Sequence, residues 1–382
     1  MAKQRTVEIA GAGIAGLTLG TALAQRGWSV RLHERGAELR ELGVGIGIWR
    51  NGFEVLENIR VLDKLAHLGS KIPRWKMLDE QQRVINDVRS GVTVLLRTQL
   101  HRALVDEAKR SGVRIETNSN VVSADASGSL TLEGGKVLKA DFVVGADGYN
   151  SKVRDALGIA EKVDTVSSSY VGRTIVPRTE QEQEEFGCEN WSGPRRLGIM
   201  TCGTEYLNLF LSSPENPDEV DRKSIDKDLW SCSFPHWRHV FARISDSDPV
   251  RWDRYTLVKC RAWSAGRAAI LGDAAHAMPA TVAQGAGFAM TDALSLAIAV
   301  DRSGDDLSAA LTAWETRQRA VINPTQRFAL MLVMASKFWP SNLLDLRTEI
   351  VGDILRSQIV EQQMMAASRH SVSDMGTAPA QP

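Results

Sequence analysis

A mixed α/β fold is predicted: a parallel sheet with crossover helices, an inserted and mostly antiparallel sheet, and helices at the C-terminus. Three observations predict it. An apolar strand from Thr6 to Ala10 runs into Gly11-x-Gly13-x-x-Gly16 and a helical pattern, and a second strand, Ser29 to Glu34, follows. Two more buried-strand patterns end in Gly145-Ala146-Asp147-Gly148 and in Gly272-Asp273. Residues 165–255 abandon that rhythm for alternating apolar and polar positions, as in Val171 to Val176 and Tyr206 to Leu211.

The first unit is Rossmann-like. Gly11 permits the tight turn, Gly13 lets a pyrophosphate approach the backbone, and Gly16 lets the helix pack close on the strand. Ile14 and Ala15 stand at the helix mouth, where free N–H groups favour phosphate. Glu34 lies about twenty residues beyond the glycines, where a carboxylate accepts both hydroxyls of an adenosine ribose, and Arg35 is its neighbour. The acid at the end of the second strand separates this pattern from a glycine-rich turn packed for its own sake.

Charge and composition narrow the class. The 382 residues suit two packed domains, and 46 basic against 46 acidic side chains exclude a nucleic-acid-binding stripe. Cys188, Cys202, Cys232 and Cys260 have no Cys-x-x-Cys spacing and read as reduced thiols of a cytoplasmic protein. No apolar run reaches the ~18 residues of a membrane span, and no signal peptide is expected ahead of the first strand. No metal site is expected. His236 and His239 lie three apart, but no acid or third ligand accompanies them.

The remaining elements follow in order. In the segment Leu42 to Gly52, Gly43, Gly45 and Gly47 clear one face of an extended stretch for close approach by a flat ligand. Phe53 to Leu68 has helical spacing. Strands are expected at Trp75 to Leu78 and at Val84-Ile85, around a polar turn from Asp79 to Arg83. A helix opens near Leu95, with Arg97 at its mouth as either a solvated charge or a phosphate contact. Val113 to Glu116 and Val121 to Ala124 are strands, and Glu133-Gly134-Gly135 marks a hairpin. Ser151 is the expected N-cap after Asp147-Gly148. Leu197 to Thr201 adds a strand, whereas Pro177 to Pro194 and Ser212 to Lys227 read as exposed loops. A glycine-rich entry at Gln284 to Gly287 opens a long helix through Val300. Leu311 to Val333 is helical with a break at Pro324, and Leu343 to Arg369 is an amphipathic helix that caps the fold or mediates self-association, a homodimer being one outcome. Ser371 to Pro382 is small and polar, a disordered tail.

Three motifs in this order, Gly11 to Gly16, Asp147-Gly148 and Gly272-Asp273, resemble those of the single-component FAD-dependent aromatic hydroxylases, the flavoprotein monooxygenases similar to p-hydroxybenzoate hydroxylase. The match covers residues 1–320. Trp49 to Gly52 and Ile175 to Arg178 look like the pyridine-ring oxygenases, which act on 2-methyl-3-hydroxypyridine-5-carboxylate or 6-hydroxy-3-succinoylpyridine. One departure is local: Ala283 replaces a glycine of the family's Pro-x-x-Gly-Gln-Gly run, and Pro279 stands one residue early.

The resemblance implies tightly bound FAD and transient NADH, or NADPH, with O2 and a small aromatic or heteroaromatic substrate. Glu34 would bind the ribose, Arg97 the phosphate or ribityl region and Asp273 the ribityl hydroxyls. Asp147 and Gly148 would touch FAD, and the N–H groups at Ala286 and Gly287 would face the flavin pyrimidine, with Pro279 near the ring. An FAD-binding domain would comprise residues 1–72, 95–165 and 256–320. A substrate domain would comprise 73–94 and 166–255, C-terminal helices 321–370 and the tail 371–382. Substrate candidates are Trp49, Arg173, Arg196, Asn208 and Phe210, with Arg173 or Arg196 holding a carboxylate or phenolate oxygen. For His276 the expected role is structural packing near the flavin. The implied reaction is hydroxylation of a hydroxypyridine-type acid in the catabolism of N-heterocycles such as nicotine, 6-hydroxy-3-succinoylpyridine with side-chain loss being one case. A reductase or dehydrogenase without oxygen insertion, and a non-catalytic FAD- or NAD-binding sensor, are the alternatives.

Overall fold

The computed structural model describes residues 4–41, 43–214, 224–245, 248, 250–304, 306–337 and 339–372, the side chains of 167–169 excepted. Residues 215–223 of one predicted loop and 373–382 of the predicted tail lie outside the described residues.

Two large sheets organise the chain. The first has the strand order Ser264–Ala265, Ala268–Ile270, Phe142–Gly145, Thr6–Ala10, Ser29–His33, Arg114–Glu116, all parallel except the antiparallel pair at its start. Its central strands are buried on both faces, so Ile9, Leu32, Val143, Val144 and Ile270 form a continuous apolar core. Helix Ile14–Ala24 is buried along Ile14 to Leu23, against helices Arg97–Arg110 and Gly285–Arg302. The second sheet has seven strands in the order Arg251–Cys260, Ala160–Pro177, Tyr206–Ser213, Arg195–Cys202, Gly187–Ser192, Arg74–Leu78, Val84–Arg89. Only the Gly187–Ser192/Arg74–Leu78 junction is parallel. The 18-residue strand Ala160–Pro177 crosses the predicted domain boundary at residue 165, with a register shift between Thr165 and Tyr170.

Several boundaries differ from expectation, each for a local reason. The predicted helix Phe53 to Leu68 starts at Arg50 and ends at Asn58, because Arg60 takes a left-handed conformation (φ 64°). The predicted helix start at Leu95 moves to Arg97, since Thr93–Leu96 is a strand paired with Gly45–Ile48. Pro177 to Pro194 is not all exposed loop: Gly187–Ser192 is an internal strand whose polar Glu189 and Asn190 are buried. Pro324 does not break its helix, which runs from Leu307 to Lys337; Gln326, two residues on, anchors it by donating to Val258 O and Ala277 O. The last predicted helix is two, Leu344–Arg356 and Gln358–Ser368, split at Ser357, which turns extended and caps the second. On the first of these, Leu346, Ile350 and Ile354 are exposed.

Candidate active site

The glycine turn divides its three residues among three jobs. A Cβ on Gly11 (φ 98°) would stand 2.4 Å from Ala146 O, and one on Gly16 would stand 2.0 Å from Gly11 O. Both positions exclude a side chain because backbone occupies the space. A Cβ on Gly13 would meet nothing within 4 Å, so this glycine faces an open cleft. The tip of the turn is held from both sides. The Ala12 N–H donates to Glu34 Oε2 (3.1 Å), and His101 Nε2 donates to Ala12 O (2.9 Å). Gly36 N–H binds the other Glu34 oxygen at 2.9 Å. His101, mid-helix and buried, carried no motif that marked it in the sequence.

A continuous cleft of about 1920 Å³ extends from this turn between the two sheets. Gly13, Glu34, Arg35, Asp147, Gly148, Asp273, Gly285 and Ala286 all line it. Asp147 uses Oδ2 to accept from Lys152 N (2.8 Å) and Val153 N (3.3 Å), while its buried Oδ1 makes no hydrogen bond. Burial pushes the Asp147 carboxyl above its usual pKa, against the backbone N–H groups that lower it. Asp273 exposes its carboxylate at the start of a four-residue helix. Helix Gly285–Arg302 begins beside the cleft with unpaired first-turn N–H groups. A Cβ on Gly287 would lie 2.8 Å from Asn51 Oδ1, and Gly287 is outside the cleft lining. Ala283, at the family's glycine position, takes the left-handed conformation (φ 52°, ψ 29°) that glycine adopts freely.

The candidate substrate residues separate into two groups. Trp49, Arg173, Asn208 and Phe210 line the cleft, whereas Arg196 does not. Arg196 is fully buried in an ion pair with Glu189 and lies over the Trp191 and Phe210 rings. Arg173 donates to Asp253 Oδ2 at 2.7 Å, and Arg251 donates to the same oxygen at 2.7 Å. Two guanidinium groups thus share one carboxylate and leave the cluster cationic. Burial pulls the Arg173 pKa down, and Asp253 raises it in opposition. Trp49 Nε1 donates to Val282 O at 3.2 Å. Tyr255, which the sequence did not single out, is 2% exposed, lines the same cleft, and has an Oη without a hydrogen bond. Arg97 also lines the cleft, gripped by Glu41 at 2.6 and 3.2 Å. Pro279 is outside the lining, although its neighbours Met278 and Ala280 belong to it.

The glycine-cleared stretch lines the cleft through Gly45 and Gly47, with open space beside Gly43 and protein atoms beside the other two. Asn208 fills the space beside Gly45, 2.6 Å from where a Cβ would be, and accepts from Gly45 N at 2.8 Å. Val92 and Ala283 fill the space beside Gly47. The cleft also has an apolar wall: Met77, Val282, Phe328, Leu332, Leu355 and Met364 line it and pack together. Burial pushes the thiols of Cys188 and Cys260 up to about 11 and that of Cys202 to about 12, so all three are protonated and unreactive.

This geometry, an extended dinucleotide cleft that ends in a half-apolar chamber, defines a nucleotide-dependent oxidoreductase. Residues 4–329 match the family described as FAD binding domain, and the chain belongs to it. It is 34% identical over 373 residues, 95% of this chain and 96% of the relative, to a probable 2-heptyl-3-hydroxy-4(1H)-quinolone synthase of Rhodococcus erythropolis. A 2-heptyl-3-hydroxy-4(1H)-quinolone synthase of Mycobacteroides abscessus is 35% identical over 84% of this chain and 87% of its own. Among solved structures, the tetrameric form of 2-methyl-3-hydroxypyridine-5-carboxylic acid oxygenase has a TM-score of 0.83 at 33% identity, covering 97% of this chain and 99% of that one. The protein is an FAD-dependent aromatic monooxygenase, and NAD(P)H as reductant is typical of its family. The cleft fits FAD on its own evidence: Gly13, Gly148 and Gly285 have open space where a side chain would be, and Asp147, which lines it, has a buried oxygen without a hydrogen-bond partner. No helix among the described residues is long and apolar enough to cross a membrane.

Proposed function

We propose that the protein uses NADH and O2 to hydroxylate a hydroxypyridine-type aromatic acid. The observation that carries this reading is Arg173: its guanidinium is shared with Asp253, and 24% of its side chain remains accessible in the chamber beside Asn208, Phe210 and Tyr255. A carboxylate or ring oxygen bound there would make charge-assisted hydrogen bonds. Phe210 would face the ring, and Tyr255 Oη would hydrogen-bond a ring hydroxyl or nitrogen. The apolar wall keeps the chamber dry, which strengthens each of these interactions. On the cofactor side, Glu34 would bind the ribose and Asp273 the ribityl hydroxyls, with Arg97 and Arg35 near the phosphates. The first-turn N–H groups at Gly285 and Ala286 would stabilise negative charge on the ring. FAD supplies the electron transfer from the nicotinamide and the activation of O2. Residues 1–72, 95–165 and 256–320 would hold the cofactor, and 73–94 and 166–255 the substrate.

A second reading, an alkyl-substituted quinolone, is favoured by the wall of Met77, Phe328, Leu332 and Met364, large enough for an aliphatic chain. One experiment separates the readings. NADH and O2 consumption are measured with hydroxypyridine acids, including 6-hydroxy-3-succinoylpyridine, and with 4-quinolones of increasing chain length, and product mass is recorded. Stimulation by an acid with gain of one oxygen, lost in Arg173→Met through a KM raised about tenfold or more, supports the first reading. Stimulation only by alkylquinolones, unaffected by Arg173→Met, replaces it with the second. NADH oxidation with no oxygenated product removes both.

A further inference from the structure

The turn that carries Asp273 is fastened at both ends to one buried oxygen. Asp292 lies in helix Gly285–Arg302, two turns in from the end that borders the cleft, and is fully buried. Its Oδ2 accepts from Gly272 N–H at 2.9 Å and from His276 Nε2 at 2.6 Å. Gly272 immediately precedes the four-residue helix Asp273–His276, and His276 closes it. Gly272 has φ 60° and ψ −141°, a conformation open to glycine that other residues rarely adopt. The histidine ring packs against Trp263 (centroids 5.1 Å apart), and Trp314 Nε1 donates to the Asp292 carbonyl at 3.1 Å. His276 and Asp292 are both absent from the cleft lining.

We infer that His276 and Asp292 are positioning residues for the cofactor: their buried bond locks the Gly272–His276 turn onto helix Gly285–Arg302 and fixes the Asp273 carboxylate relative to that helix's N-terminus. The two features meant to grip FAD, an acceptor for the ribityl hydroxyls and N–H donors for the ring, thereby become one rigid unit before the ligand arrives. This rests on the ribityl role proposed for Asp273. Preorganisation lowers the ordering cost of binding, so its loss appears in cofactor affinity. Burial pushes the Asp292 carboxyl above its usual pKa against the pull of His276, and its Oδ1 already lacks a partner, so removing the 2.6 Å His276 donor leaves a buried polar group still less satisfied.

The test is FAD titration of the stripped protein, followed by flavin fluorescence, in His276→Leu and His276→Gln. His276→Leu is expected to raise the FAD Kd about tenfold to a hundredfold. His276→Gln, which restores an N–H donor, is expected to recover most of that loss. A folded His276→Leu protein with wild-type affinity overturns the inference, as does a folded Gln variant no better than Leu. Asp273→Ala separates the two premises: unchanged FAD affinity there removes the ribityl reading, whatever the histidine variants do. Should the histidine variants fail to fold, amide hydrogen exchange on the wild-type protein decides. Slow exchange at Gly272 and His276 without FAD supports a preformed lock, and protection that arises only with FAD overturns it.

Discussion

At the residue scale, the site depends on atoms whose neighbours come from far along the chain. Gly45 is required because Asn208, on another sheet, occupies its side-chain space. Gly45→Ala is expected to displace Asn208, cost about 1–3 kcal/mol of stability and raise the substrate KM while leaving the FAD Kd unchanged; an unchanged KM in steady-state assays would refute this. Asp147 is a second case. Burial raises its folded pKa above the unfolded value, so the native state binds more protons between the two, and stability falls as pH rises through that window. Asp147→Asn removes the buried charge and keeps an acceptor for Lys152 and Val153 N–H. Thermal scans of the FAD-free protein should give the variant the higher Tm near pH 7, the gap closing toward about pH 4. A gap that widens on acidification would contradict the assignment. Gly13 and Glu34, singled out by turn pattern and spacing, and Asp147 and Asp273, singled out by resemblance, all line the one cleft. His101 and Tyr255 were not legible in the sequence, since a histidine or tyrosine inside an ordinary helix or strand acts through tertiary neighbours that spacing does not encode.

At the element scale, the seven-stranded sheet and the C-terminal helices are bound by polar contacts between distant segments. Arg347, fully buried, donates to both oxygens of Glu80 (2.9 and 2.7 Å) and to Gly193 O (3.1 Å). Asp79, in the same turn as Glu80, accepts from Arg83 and from Thr348 Oγ1. These bonds press helix Leu344–Arg356 onto the hairpin that supplies Met77 to the chamber wall. Arg347→Met should cost about 2–3 kcal/mol in urea unfolding, at the low end for a broken buried pair because Glu80 is 25% exposed; a loss below about 0.5 kcal/mol would mean the pair is no anchor. The same coupling explains which elements sequence reading missed. Gly187–Ser192 looked like a loop because Glu189 and Asn190 are polar, but Glu189 is neutralised there by Arg196 and hydrogen-bonded by Trp191 Nε1 at 2.6 Å. Pro324 looked like a break because local geometry disfavours it, yet burial of Ile322, Thr325, Gln326 and Ala329 around it carries the helix onward.

For the whole molecule, the two-sheet architecture and its cofactor role were legible, because the parallel strands and their glycine turns are local patterns. The chamber was half legible: of the two arginines weighed from the sequence, Arg173 lines it and Arg196 does not, and the apolar wall was not foreseen, since Met77, Val282, Leu332 and Met364 meet only in three dimensions. Because a single dinucleotide would touch segments from Gly11 to Ala286, its binding should stabilise the entire fold. FAD at about a thousand times its Kd should add about 4 kcal/mol and raise Tm by several degrees; a Tm indifferent to added FAD would show that the described cleft is not its site. The cleft lining reaches from Ala10 to Arg369, and buried Asn51 Nδ2 donates to Ala367 O at 3.2 Å, so the first and last parts of the chain share one wall. During synthesis, the glycine turn is made long before helix Gln358–Ser368, whose Met364 and Met365 line the cleft. The cofactor cleft therefore acquires its last wall only after that helix has been made and has folded back onto the first part of the chain.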